Sequence, residues 1–291
     1  MIKRIGIYLN EMFPITVIIG SILSALAVEL VYLRLYGVLP ELGFQLFIPG
    51  VVLTLISLLI RIMDEFKDYE DDFTNFPNRP LPSGRVKKSD LKALGIFCVV
   101  MVVFLSSTSM PLLIWALITL AFTGLMLKWF FIESTMRKNL PLAFITHHPI
   151  VVFNFVYLIL ACMQFDPQVG WDKWYYILPI CLIYTNWEVM RKIRSPEQET
   201  SYTTYSKILG PRLAMLIALG LQLIFNSTVM FIFHELQTPM VLQIVFLLLQ
   251  LVYAWPSLRF LKTLKLKAPL KPNAEGQILL VVGFLLAAAF L

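Results

Sequence analysis

The sequence predicts an all-α integral membrane protein of about nine transmembrane helices, and three observations carry that expectation. Hydrophobic residues make up 58% of the chain and charged residues 14%, with a mean hydropathy of +0.78. That balance is too apolar for a soluble domain of this length. The apolar residues fall in stretches near the ~20 needed to cross a hydrocarbon core. Lys and Arg, in turn, recur in every second connection.

The spans are placed at 12–34, 45–63, 91–110, 111–131, 141–163, 174–190, 211–234, 239–257 and 276–291. The first is span-length and lacks a small-residue cleavage pattern after a short apolar region, so it is expected to remain as a helix. The second ends where a run of carboxylates begins. Pro111 alone separates the third from the fourth. Cys98, Cys162 and Cys181 fall inside spans, where packing is the expected role of a thiol. His147 and His148 open the fifth span. Adjacent helical residues do not share a face, which argues against a His–His metal pair and for packing or hydrogen bonding. Asn154 and Asn226 are intramembrane amides expected to bond across helices or to orient an acceptor. The whole chain, 1–291, reads as a single transmembrane domain.

All of the 24 Lys and Arg residues except Arg34 and Lys173 lie at the N-terminus or in and beside the connections after spans two, four, six and eight. By the positive-inside rule those connections and the N-terminus are cytoplasmic and the C-terminus is outside. Topology therefore accounts for the basic pI, and no nucleic-acid partner follows from it.

Chemistry gathers in those connections. After span two the chain reads RIMDEFKDYEDDFTNFPNRPLPSGRV, Arg61 to Val86. If it starts helical, Asp64, Asp68 and Asp72 stack one turn apart on one face. Such a column repels itself unless water, bases or divalent cations neutralise it, and hard oxygen ligands suit Mg²⁺ shared with a substrate phosphate. Pro and Gly then fix a turn through Asn78, Arg79, Pro80, Pro82 and Gly84, expected to hold Arg79 and Arg85 near the carboxylates. The connection after span six brings Glu188, Glu197 and Glu199 together with Arg191, Lys192 and Arg194. Two acidic clusters mixed with bases make a candidate diphosphate site. Asp64 and Glu188 lie in the last turn of their spans, where carboxylates belong only if they face the bundle interior or a wet cavity.

Nine helices, an aspartate motif after the second running into Asn78-Arg79-Pro80, and a polar motif after the sixth resemble the UbiA superfamily of intramembrane prenyltransferases. The family's first motif, NxxxDxxxD, corresponds to Asp64, Asp68 and Asp72, with Asp in place of the leading Asn. Thr204-Tyr205-Ser206-Lys207-Ile208-Leu209-Gly210 resembles the family's entry to helix seven. The second motif departs from the usual DxxxD, since no aspartate follows Asp172. Counting back from Gly210 without gaps puts Glu197 at its second position and Ile193 at its first; a gap makes Glu188 and Glu199 the candidates. Arg191, Lys192 and Arg194 could replace one metal ion by direct charge neutralisation.

The resemblance implies a UbiA-like bundle that binds an isoprenyl diphosphate with its tail in the bilayer and its head at the cytoplasmic rim. Mg²⁺ is the implied cofactor, with Asp64, Asp68, Asp72, Glu188, Glu197 and Glu199 as candidate ligands. Asn78, Arg79, Lys128, Arg137, Lys138 and Arg194 are the implied diphosphate contacts, and Asp68, Asp72, Arg191 and Lys192 the implied catalytic groups. Stabilising the departing diphosphate allows the allylic C–O bond to ionise, and aromatic walls can guide the cation. A small lipophilic or aromatic acceptor then takes the prenyl group. In the alternative, a UbiA-type terpene cyclase, the chain's own double bond does so. A membrane transporter using the acidic column for cations is a third reading, disfavoured because the acids lie at span ends rather than at the midplane.

Overall fold

The computed structural model describes residues 1–39, 43–200 and 203–291, and the described residues are helical without strands. Fourteen α-helices run in chain order among them: α1 Ile2–Met12, α2 Ile15–Leu35, α3 Ile48–Lys67, α4 Tyr69–Asn75, α5 Lys88–Ser106, α6 Met110–Leu127, α7 Glu133–Met136, α8 Leu140–His147, α9 Pro149–Cys162, α10 Leu178–Met190, α11 Tyr205–Leu209, α12 Pro211–Glu235, α13 Met240–Thr263 and α14 Lys271–Phe290. Eight helical stretches among the described residues are long and apolar enough to cross a membrane, and each overlaps an expected span. The remaining expected span, 174–190, is a four-residue 3-10 turn, Trp174–Ile177, running into the 13-residue α10. Together they measure about 28 Å, close to the ~30 Å hydrocarbon thickness.

The helices fall into two compact units. The first comprises Met1–Leu26, Glu41–Lys138 and Phe153–Ala161; the second comprises Ala27–Pro40, Asn139–Val152 and Cys162–Leu291.

In the first unit α3 packs against α5 and α6. The span-two helix begins at a proline, Pro49, whose missing N–H costs nothing in a first turn. Beside it Gly50 allows close approach, because a Cβ there would sit 3.1 Å from the Ile22 backbone. The boundary between α5 and α6 is a short turn in which Ser109 caps α6 by accepting the Leu112 N–H at 3.5 Å, with Pro111 in the first turn. The N-terminal segment was not expected to be an element, yet α1 is an amphipathic helix. Its Tyr8, followed by Phe13, packs on Leu58, Ile62 and Leu91, and Arg4 pairs with the buried Asp90 of α5 at 2.5 Å.

In the second unit α10 packs against α12 and α14, and α12 against α13. A chain of buried amides fixes their register. Asn186 donates to Gln277 Oε1 at 3.5 Å, Gln277 donates to Gln250 Oε1 at 3.1 Å, and Gln222 donates to the Gln250 carbonyl at 3.5 Å. In hydrocarbon such groups have no water to turn to, so pairing with each other holds the helices in one arrangement. Of the two roles expected for Asn226 and for Asn154 of the first unit, bonding across helices is not made by the side-chain oxygen of either, which is buried without a hydrogen-bond partner among the described residues.

Candidate active site

The aspartate motif lies in the first unit, at the end of α3. The motif does start helical, but α3 ends at Lys67, Asp68 turns out of helical geometry (φ −104°, ψ 15°), and α4 begins at Tyr69. One-turn spacing survives the break, because the Asp68 N–H donates to the Asp64 carbonyl at 2.9 Å and the Asp72 N–H to that of Asp68 at 2.8 Å. Aspartate competes for backbone groups and is a poor helix former, so a break there is chemically reasonable.

The two carboxylates beyond Asp64 differ sharply. Asp72 is buried and accepts from Arg79 Nη1 at 2.5 Å, with the guanidinium 4.0 Å over the Phe76 ring. Its charge is already matched. Asp68 is partly buried, and among the described residues no base lies within ion-pair distance of it. Burial first, and the Asp64 carboxylate second, push its pKa up to about 6, while Lys67 and Arg137 act more weakly in the opposite direction.

Among the described residues no three His, Cys, Asp or Glu side chains are gathered into a metal-holding group. Mg²⁺ does not need such a cage, since it keeps several waters and binds through one or two carboxylates plus substrate phosphates. Asp64 and Asp68, one turn apart and short of positive charge at Asp68, fit that requirement. Asp72, as held by Arg79, is a partner for a base.

The turn after α4 separates the two arginines expected to flank the carboxylates. Arg79 is at Asp72, but Arg85 turns away, forming a two-point ion pair with Glu11 of α1 and donating to the Asn78 carbonyl at 2.6 Å. Asn78 itself is exposed. Gly84, at φ +75°, supplies the left-handed residue that closes the turn.

Lys128 caps α6 and is exposed. It leads into three consecutive residues with left-handed backbone, Trp129 (φ 50°), Phe130 (φ 50°) and Phe131 (φ 62°). None is a glycine, so this turn stores on the order of 1 kcal/mol or more per residue. It places the Trp129 ring under Lys67, whose ammonium is 3.5 Å from the ring centroid. Phe66, Lys67, Leu127, Lys128, Trp129 and Glu133 line a cavity of about 370 Å³. Arg137 lines a smaller cavity of about 290 Å³ and is held by Glu133 at 2.8 Å and Asp71 at 2.5 Å. Lys138 is exposed beside it.

The second motif lies in the second unit. Glu188, in the last turn of α10, uses both oxygens: Oε2 takes Arg191 Nε at 2.5 Å and Oε1 takes Lys192 Nζ at 3.0 Å. Arg191 also lies over the Trp187 ring at 5.0 Å. Glu199 accepts from the Thr204 hydroxyl at 2.8 Å and the Ser206 hydroxyl at 2.5 Å, and Ser206 in turn accepts the Arg194 N–H at 2.9 Å. Glu199 thereby knots the connection into α11. Arg194 reaches the Thr200 hydroxyl at 3.0 Å. Glu197 is exposed on a 3-10 turn, Pro196–Gln198, with no ion pair among the described residues. Ile193 is buried. The region is a cluster of bases fastened by glutamates.

A model of the UbiA prenyltransferase family matches residues 21–268. The chain belongs to that family. In fold it is similar to the apo structure of a UbiA homolog from Aeropyrum pernix K1, with a TM-score of 0.65 at 12% identity over 92% of this chain and 98% of that one. It is likewise similar to a digeranylgeranylglyceryl phosphate synthase structure, with a TM-score of 0.60 at 16% identity over 99% of this chain and 100% of the other. No curated protein matches the sequence significantly.

As a UbiA-family member the chain is a multi-pass integral membrane protein, and two of its polar contacts escaped the sequence reading. Glu65, buried next to Asp64, pairs with Arg61 at 2.5 Å and keeps its other oxygen without a hydrogen-bond partner among the described residues; the i, i+4 spacing was the available signal. Lys67 and Trp129 meet only because of the left-handed turn, which no glycine announces. His148 has the hydrogen bond expected of it, to the Thr185 hydroxyl at 2.6 Å, with a partner in a distant segment that sequence spacing does not encode.

Proposed function

We propose that this protein is an Mg²⁺-dependent intramembrane prenyltransferase, acting as one catalytic domain over 1–291, that ionises an isoprenyl diphosphate and passes the prenyl group to a lipophilic or aromatic acceptor. The observation that carries this reading is Asp68, partly buried one turn from Asp64 and raised to about 6 by burial and by that neighbour, in a chain of the UbiA prenyltransferase family. A carboxylate pair in that state favours a bound cation. Bound at Asp64 and Asp68, Mg²⁺ would supply Lewis-acid stabilisation of the charge on the departing diphosphate.

The protein's own groups do the rest. Arg191 and Lys192, gathered by Glu188, are the proposed bases that bind diphosphate and oppose its growing charge. Lys128, Arg137 and Lys138, with Lys67, are further bases proposed for phosphate. Arg79 positions Asp72, and Glu199 shapes the loop that carries Arg194. Neither Glu188 nor Glu199 is offered as a metal ligand in this reading, since each is consumed by protein partners; Glu197 is the exposed carboxylate of the second motif. The N-terminus and both motifs face the cytoplasm.

A second reading rests on that same second motif. Where the family's second motif usually carries aspartates, this chain carries glutamates, two of them held by protein partners, and a UbiA-type cyclase would need no acceptor subsite. The first test is release of diphosphate from geranyl, farnesyl and geranylgeranyl diphosphate by the purified protein with Mg²⁺ or with a chelator. Mg²⁺-dependent release is expected; no release with any chain length overturns the proposal.

A further inference from the structure

Two adjacent histidines mark the break between α8 and α9, and they do different things. His147 turns its Nδ1 back to the Ala143 carbonyl at 2.9 Å, an ordinary contact within the helix. His148 instead reaches α10, where its Nε2 lies 2.6 Å from Thr185 Oγ1. That hydroxyl has a single proton, and 2.7 Å away on its other side is the Cys181 carbonyl, which can only accept. If Thr185 gave its proton to His148, two oxygen lone pairs would face each other at hydrogen-bond distance. Both short contacts are satisfied only when Thr185 donates to Cys181 and accepts from His148 Nε2–H. The neutral ring is thereby fixed as the Nε2–H tautomer, and Nδ1 carries the basic lone pair.

The ring is also held in place. It stacks on Phe144 with centroids 4.5 Å apart and planes 22° apart, and Phe144 is braced edge-on by Tyr205 at 6.2 Å. His148 is partly exposed, and among the described residues nothing hydrogen-bonds its Nδ1. The charged group that faces it is Glu188, three residues beyond Thr185 and so on the same face of α10; Phe144 and Thr185 are uncharged. A fixed tautomer with an open, basic nitrogen beside the cluster of bases is the arrangement of a general base.

We propose that His148 is the base that takes up the proton released during prenyl transfer, a role that rests on the prenyltransferase reading above. The C1–O bond of the prenyl diphosphate breaks with its electron pair leaving on diphosphate. An electron pair of the acceptor closes the new bond to C1, and the hydrogen that the acceptor sheds passes as a proton to His148 Nδ1.

The test separates ionisation from proton uptake. Protein reconstituted with a total lipid extract of its native membranes, as the source of acceptor, is given Mg²⁺ and labelled geranylgeranyl diphosphate; diphosphate and labelled products are followed separately. In His148→Gln the amide can still donate to Thr185 but has no basic nitrogen. Product formation is expected to fall about 100-fold or more, while single-turnover diphosphate release persists and prenyl alcohol from water capture replaces the product. Thr185→Val, which frees the tautomer but keeps the base, is expected to lose product about 10-fold, with release again retained; it serves if the glutamine variant does not fold. His147→Gln should match the wild type. Unchanged product formation in His148→Gln, or equal loss of diphosphate release and product in both His148→Gln and Thr185→Val, overturns the assignment. Absence of diphosphate release by the wild type from geranyl, farnesyl and geranylgeranyl diphosphate alike is a different failure, visible before any variant is compared, and overturns the prenyltransferase reading together with the base.

Discussion

Asp68 and Asp72 are the same residue four positions apart, yet their surroundings assign them opposite tasks. Asp72 is matched by Arg79 at 2.5 Å, so removing it strands a guanidinium as well as deleting a carboxylate. Asp68 has no such partner among the described residues, and burial together with Asp64 raises it to about 6. Asp68→Asn should therefore cut Mg²⁺-dependent diphosphate release by about 10²-fold or more while the protein stays folded and monodisperse; wild-type turnover in that variant removes Asp68 from the site. The raised pKa also has a sign. Without metal, Asp68 holds its proton below about pH 6 and loses it above, so it competes for Mg²⁺ only on the alkaline side. Apparent Mg²⁺ affinity should drop as pH falls from 7 through about 6, and adding Mg²⁺ near that pH should release protons, measurable by calorimetry in buffers of different ionisation enthalpy. Affinity flat across that range contradicts the assignment.

At the scale of elements, the spans were legible because the bilayer imposes a length and a polarity on them that composition alone reveals. The expected 211–234 and observed Pro211–Glu235 differ by a single residue at the far end. What was not legible depended on contacts between segments. The amphipathic α1 is too polar for a span and becomes an element by packing Tyr8 against Leu58 and Ile62. The left-handed turn at Trp129, Phe130 and Phe131 has no glycine to signal it. The aspartate motif was readable as chemistry, whereas the division of labour within it needed the Arg79 contact. In the second motif the sequence offered Glu197 without a gap and Glu188 and Glu199 with one, and their partners separate them further. Glu199 accepts from the hydroxyls of both Thr204 and Ser206, so Glu199→Gln turns one acceptor oxygen into a donor facing a hydroxyl. The expected loss is about 1–3 kcal/mol of stability, read as a lower midpoint in thermal unfolding, whereas Glu197→Gln should leave the midpoint unchanged. An unshifted midpoint in Glu199→Gln would show that the loop is held by something else.

Across the whole molecule, charge decides orientation and the fate of the cation decides the reaction. All but two of the Lys and Arg residues lie on the side assigned to the cytoplasm, which predicts that, in a cysteine-free background, a membrane-impermeant maleimide labels Gln168→Cys but not Ser83→Cys in intact cells; both positions are exposed. The reverse pattern inverts the topology. The reaction itself turns on what meets the allylic cation once diphosphate has left. A transferase must hold a nucleophile against C1 and lacks one when the acceptor is withheld, so the cation returns to diphosphate or is captured by water. A cyclase carries its nucleophile in the substrate and needs only a folded tail and apolar walls that exclude water. Purified protein with geranylgeranyl diphosphate, Mg²⁺ and no acceptor should accordingly release diphosphate slowly and yield at most geranylgeraniol, with turnover rising when native lipid extract is added. A cyclic terpene formed at full rate without the extract would overturn transfer and leave the bundle as a cyclase, with the same aspartate pair still responsible for ionisation.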